Sequence, residues 1–183
     1  MPILGIIASA FRSAAGPQGA YDALASVTVP SGGAASISFT GIPSGYKHLQ
    51  IRGITRGTGN SAEWFLVNLN GTASVRSHML YGQGSSAAST SGANGLLGLP
   101  VVQTSAGAGI FGAFIVDVLD YASTNKTKTI RSLSGKNQNG YGTNYLGLGS
   151  SLYNSTDSVT SLTITPELAS FAQHSHFALY GVK

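Results

Sequence analysis

The residues with the clearest capacity for chemistry lie near the end of the chain, at His174-Ser175-His176. In an extended strand, residues two apart share a face, so two imidazoles there have metal-competent spacing. Cupin-type jelly rolls use such a pair, but they also draw a Glu and a third His from later strands. The chain runs only from Phe177 to Lys183 beyond this pair and contains neither. His48 or His78 could complete a site, and Asp117 or Asp120 could add a carboxylate. The alternative is two polar strand residues facing solvent or a subunit contact. No metal and no cofactor is expected.

Other chemistry is thinly represented. Gly107-Ala108-Gly109-Ile110-Phe111-Gly112 matches GxGxxG. A dinucleotide site needs a helix to start after those glycines, so that free amides and the helix dipole hold pyrophosphate. A β-branched strand pattern follows instead, and the match reads as coincidence in a glycine-rich chain. No cysteine is present, which removes thiol nucleophiles, zinc ribbons and disulfides. No GxSxG elbow occurs. A glycosidase would need two of Asp22, Glu63, Asp117, Asp120, Asp157 and Glu167 to converge, and Asp117 and Asp120 fall on opposite faces of a strand. No enzyme is expected.

Two further groups of residues suit contacts with partners. Lys126, Lys128 and Arg131 form the one basic cluster, with Lys126 and Lys128 on one strand face. A phosphate contact is conceivable there, but lysines guarding an edge strand explain the pattern better. The segment from Lys136 to Tyr145, KNQNGYGTNY, has the composition of a recognition loop. Tyrosine offers rigid amphipathic area, and Asn and Gly offer adaptable hydrogen bonding. Its candidate contact residues are Asn137, Asn139, Tyr141 and Tyr145; an ordinary long turn would have the same composition. Asn70, Asn125 and Asn154 begin glycosylation sequons, which are discounted without a convincing signal peptide.

These residues must be held by strands. Period-two alternation marks Leu24–Val29, Ser36–Thr40, Tyr46–Thr55, Glu63–Asn70, Val75–Tyr81, Lys126–Leu133, Tyr145–Tyr153, Ser158–Thr165 and His174–Val182. Ile37 and Phe39 share a face, as do Leu49 and Ile51, and Phe65, Val67 and Leu69 oppose Trp64 and Leu66. Asn70-Gly71 is the strongest hairpin signal. The apolar run Ile110–Tyr121 reads as a central strand buried on both faces, with a short helix as the alternative that periodicity leaves open. Residues 82–95, rich in Ser, Ala and Gly, read as a mobile loop, and residues 134–144 read as a long turn. No capped helix longer than about three turns can be written. The expected fold is all-β: an antiparallel β-sandwich, jelly-roll-like, over residues 21–183.

Residues 1–20 stand apart as an N-terminal arm. Ile3, Leu4, Ile6, Ile7 and Phe11 make it apolar, and a monomer gains little by exposing them. The arm is therefore expected to pack on a neighbouring subunit or partner. It lacks the basic residue that opens a signal peptide, so secretion is not expected.

Composition agrees with a β protein whose surface is hydroxyl-rich. The chain has 183 residues, 25 glycines, 42% hydrophobic residues and only 9% charged ones. Soluble proteins are typically about one-quarter charged. Ten basic against six acidic residues give a net charge of +4, but without a like-charge block, so no nucleic-acid partner is expected. No stretch approaches the ~20 apolar residues of a membrane helix, and no membrane partner is expected.

Three strings carry a family resemblance. AYDALASVTVPSGGAASISFTGIPSGYKHLQIRGITR, DVLDYASTNKTKTIRSLSGKNQNG and SLTITPELASFAQHSHFALYGVK, with the leader MPILGIIAS, resemble small virion proteins of tailed bacteriophages, including phages of cyanobacteria and marine bacteria. The resemblance runs through most of the chain from Tyr21 onward. It implies a β-sandwich homotrimer, either a cement or decoration protein bound to the major capsid protein on the outer capsid surface, or a distal domain of a tail fibre or spike that meets a host surface glycan. It carries over no individual functional residue.

Overall fold

The computed structural model of the protein describes residues 6–7, 19–61, 63–72, 75–93, 99–140 and 143–183. Among these the strands are β1 (Ile6–Ile7), β2 (Tyr21–Thr28), β3 (Ile37–Thr40), β4 (His48–Thr55), β5 (Glu63–Leu69), β6 (Val75–Gln83), β7 (Ser86–Ala93), β8 (Pro100–Val101), β9 (Gly112–Leu119), β10 (Lys128–Lys136), β11 (Tyr145–Tyr153), β12 (Ser161–Pro166) and β13 (His176–Val182). They form two sheets packed as a sandwich. The smaller has the order β1-β3-β12-β5-β8 and the larger β2-β13-β4-β9-β10-β11-β6-β7. All neighbours run antiparallel except β1 and β3. A jelly roll divides eight strands between two Greek-key sheets; this strand order gives that narrower expectation no support.

Alternation explains the core. Ile37 and Phe39 on β3, Leu49 and Ile51 on β4, and Phe65, Val67 and Leu69 on β5 all turn inward and are buried, as their period of two predicts. Four rings link the sheets: Phe65 lies 4.8 Å from Phe114 and 6.0 Å from Phe171, and Phe177 lies 4.8 Å from Phe171. Gly53 on β4 admits this cluster. A Cβ there would run into the Phe114 ring and the His176 carbonyl.

Three expected elements differ. Residues 86–93 are no loop: β6 turns at Gly84-Ser85 and β7 pairs back along it, from Gln83 opposite Ser86 to Arg76 opposite Ala93. Small polar residues give no periodic signal, but they still hydrogen-bond through the backbone. The run around β9 is central but buried on one face only, since Val116 and Val118 are buried while Ala113 and Ile115 are exposed. Ser134, Gly135 and Lys136 belong to β10, which leaves a shorter turn than expected.

Asn70-Gly71 makes the predicted tight turn but no hairpin. Both residues have positive φ, 50° and 72°, and the Thr72 amide donates to the Leu69 carbonyl at 3.0 Å. Yet β5 pairs in the small sheet and β6 in the large one. The turn carries the chain from one layer to the other.

At the N-terminus, Ile6 and Ile7 pair with Ile37 and Ser38 of the same chain, as an edge strand. Ile3, Leu4 and Phe11, also expected in the arm contact, lie outside the described residues.

Candidate functional site

The histidine pair does not share a strand face. His174 has φ 70° and sits in the turn before β13, which begins at His176. His176 Nδ1 is 2.8 Å from Thr28 Oγ1 on β2. His48 Nδ1 accepts the Asp120 amide at 2.9 Å, and His78 points outward from β6. Among the described residues, no group of three or more metal-ligating side chains forms.

The carboxylates serve separate partners. Asp22 pairs with Lys183 at 3.0 Å, and Asp117 with Arg131 at 3.6 Å. Asp157 accepts from Ser155 at 2.9 Å. Asp120 is ringed by Lys126, Lys47 and His48, and the Lys126 hydrogen bond, more than any other contact, holds its carboxyl below the usual range. The side chain of Glu63 lies outside the described residues.

The GxGxxG segment turns its carbonyls, rather than its amides, toward a charge. Arg56 Nη1 donates to the carbonyls of Gly107 and Ile110, both at 3.0 Å. Its Nη2 donates to those of Thr104 and Ala106, at 3.1 and 2.8 Å. One guanidinium thus organises residues 104–110. This is the opposite polarity to a phosphate cradle, whose amides face the ligand.

The basic cluster also separates. Lys126 is exposed and precedes β10, so it does not share a strand face with Lys128. β10 lies inside the sheet between β9 and β11, so its lysines guard no edge. Lys128 is fully buried, and its Nζ donates to the carbonyls of Ser123, Lys126 and Ser155 at 2.6, 3.2 and 3.5 Å. Burial pushes its pKa down, while the charge of Asp157 opposes that shift. The ammonium closes two loops at one end of the sandwich, and Arg131 points to the opposite face.

The expected recognition loop spends much of its polarity on its own conformation. Gln138 is buried; its amide N–H donates to Asn144 Oδ1 at 2.9 Å, and its side chain donates to the Thr143 carbonyl at 3.3 Å. Asn137 Oδ1 accepts the Asn139 amide at 2.9 Å, an Asx turn. Asn137 and Asn139 are exposed, whereas Tyr141 lies outside the described residues. Tyr145 corrects the expectation outright. It is buried, its ring 4.7 Å from Trp64 and 5.5 Å from Tyr81, and its hydroxyl donates to Met79 Sδ at 2.7 Å. Burial pushes its phenol far above the usual range.

The surface with the strongest chemical character is one the motifs did not mark. Among the described residues, eight of the nine exposed large hydrophobic side chains lie on the outer face of the large sheet, Tyr21 at its β2 edge and the other seven over β4, β9, β10, β11 and β6. Ile115, Leu133, Leu148 and Leu80 stand opposite one another on β9, β10, β11 and β6. Leu146 and Leu152 extend the patch along β11, and Ile54 flanks it on β4. The inner face of β10, β11 and β6 carries Ser132, Ser134, Gly147, Gly149, Ser151 and Ser77, with Ser77 and Ser151 hydrogen-bonded at 2.7 Å. That inner face also carries Val75, Met79, Ile130, Tyr145 and Tyr153, so in this half of the sheet apolar side chains lie on both faces. The signal was present in YLGLGSSLY, where leucines alternate with glycine and serine, but a period of two does not say which face turns inward.

A polar rung crosses the same face. Gln50 Nε2 donates to Asp117 Oδ1 at 2.6 Å, and Arg131 stands on the other side of that carboxylate. Arg52 donates to Gln50 and lies over the rings of Tyr21 and Tyr180, 4.9 and 5.2 Å from their centroids. Comparison with known protein families, curated protein sequences and solved structures finds no match to this chain.

Proposed function

We propose that the protein is a structural component of a phage virion, a capsid cement or decoration protein that binds the outer capsid surface as a trimer and stabilises the shell. The observation that carries this reading is the leucine-bearing outer face of the large sheet. Exposed apolar patches of this extent mark surfaces that are covered in an assembly. The resemblance to small virion proteins supplies the setting. Cementing is mass action: a protein that binds only the assembled shell shifts the equilibrium toward it. The backbone of Ile6 and Ile7 pairs along β3 at the edge of the other sheet.

Heating purified particles tests the reading. Particles lacking this protein release their genome at a lower temperature than native ones, and adding the purified chain back restores the native value. Equal release temperatures for the two kinds of particle contradict cementing.

A second reading, a distal tail domain that meets host glycan, draws on exposed Asn137 and Asn139 in the turn after β10. Replacing both with Ala abolishes binding to host cells on that reading and leaves it unchanged on the first.

A further inference from the structure

We infer that a second copy of this chain docks on the outer face of β9, β10, β11 and β6. The inference rests on reading the protein as a part of an assembly, and it names the face at which copies meet. With a buried core face on one side and a row of leucines on the other, these strands lack the polar outer face of a sheet that ends in water. Leu146, Leu80 and Leu148 are 61%, 58% and 56% exposed, although each stands in a regular ladder with a strand on both sides.

Area and charge both point to a like partner. Seven leucine and isoleucine side chains, each 37% to 61% exposed, spread over four adjacent strands and the flank of a fifth, the breadth that an interface of ~800 Å² per partner requires. The rung in its middle is self-complementary. Asp117 and Arg131 lie side by side, directly opposite in register, so a neighbouring copy can set its own Arg131 beside this Asp117. Because Asp117 is already held by Gln50 and Arg131, covering the rung buries a paired charge rather than a lone one. The face carries Arg76 and His78 on its β6 side, but its leucine-bearing centre, with Asp117 and Arg131 already paired, fits another copy of itself better than a strongly charged partner.

Light scattering coupled to size exclusion on the purified full chain reads the result. The native chain is expected at a small multiple of 18.6 kDa, and Leu148→Lys, which sets a charge in the middle of the face, at about one copy. Leu168→Ser, at a 71% exposed residue between β12 and β13, keeps the native mass. Circular dichroism confirms that each variant folds; if Leu148→Lys does not, Leu80→Ser on the next strand replaces it. A native chain of single-copy mass overturns the inference. So does a folded Leu148→Lys or Leu80→Ser chain that retains the native mass, or a Leu168→Ser chain that loses it. Incorporation into particles is read separately. A chain that associates through this face but is absent from particles removes the virion reading and leaves this inference standing, and a single-copy chain found in particles does the reverse.

Discussion

The side-chain amide of Asn70 donates to the carbonyl of Ser158 at 2.9 Å, across the gap between the end of β5 and the approach to β12. Asn70 Oδ1 also accepts the amides of Thr160 and Ser161, at 2.9 and 3.2 Å. One side chain thereby fixes both the sheet-switching turn and the entry of its neighbouring strand. Asn70→Ala removes these bonds and puts alanine at φ 50°. The expected loss is about 2–3 kcal/mol, read from the urea unfolding midpoint. A loss within experimental error would show that the turn holds without its side chain.

Arg56 makes a second prediction. An ammonium cannot span four carbonyls as a planar guanidinium does, so Arg56→Lys frees part of the 104–110 loop. Protease cleavage within that loop is expected to accelerate about tenfold for each 1.4 kcal/mol of lost anchoring. Equal cleavage rates for native and variant protein would remove Arg56 from its anchoring role.

Alkaline stability follows from the buried phenols. Burial raises the pKa of Tyr145, Tyr121 and Tyr46 in the folded chain. Unfolded tyrosine ionises near pH 10, so their contribution is intact below about pH 10 and is lost as pH rises above it. Tyr145→Phe therefore costs little at neutral pH and falls less steeply than the native protein above that value. Parallel stability curves for the two proteins between neutral and strongly alkaline pH would contradict this.

Much of the sandwich is legible in the sequence because half-buried strands declare themselves by alternation. Ile37 with Phe39, and Phe65 with Val67 and Leu69, lie inward as their spacing required. β7 was not legible, since Ser, Ala and Gly give alternation nothing to work with and that strand forms through backbone pairing with β6. Lys128 and Tyr145 read as surface residues from their types alone. Three carbonyls make a lysine acceptable inside, and stacking against Tyr81 makes the loop's last tyrosine part of the interior. The leucine face was hidden for a different reason: alternation reports two faces without reporting which one meets water.

The most direct test of the virion reading is the copy number of this protein per purified particle, by quantitative mass spectrometry. The account predicts a count comparable to that of the major capsid protein. A count of only a few copies places the protein on the tail and contradicts cementing, and its absence from particles contradicts a virion role altogether.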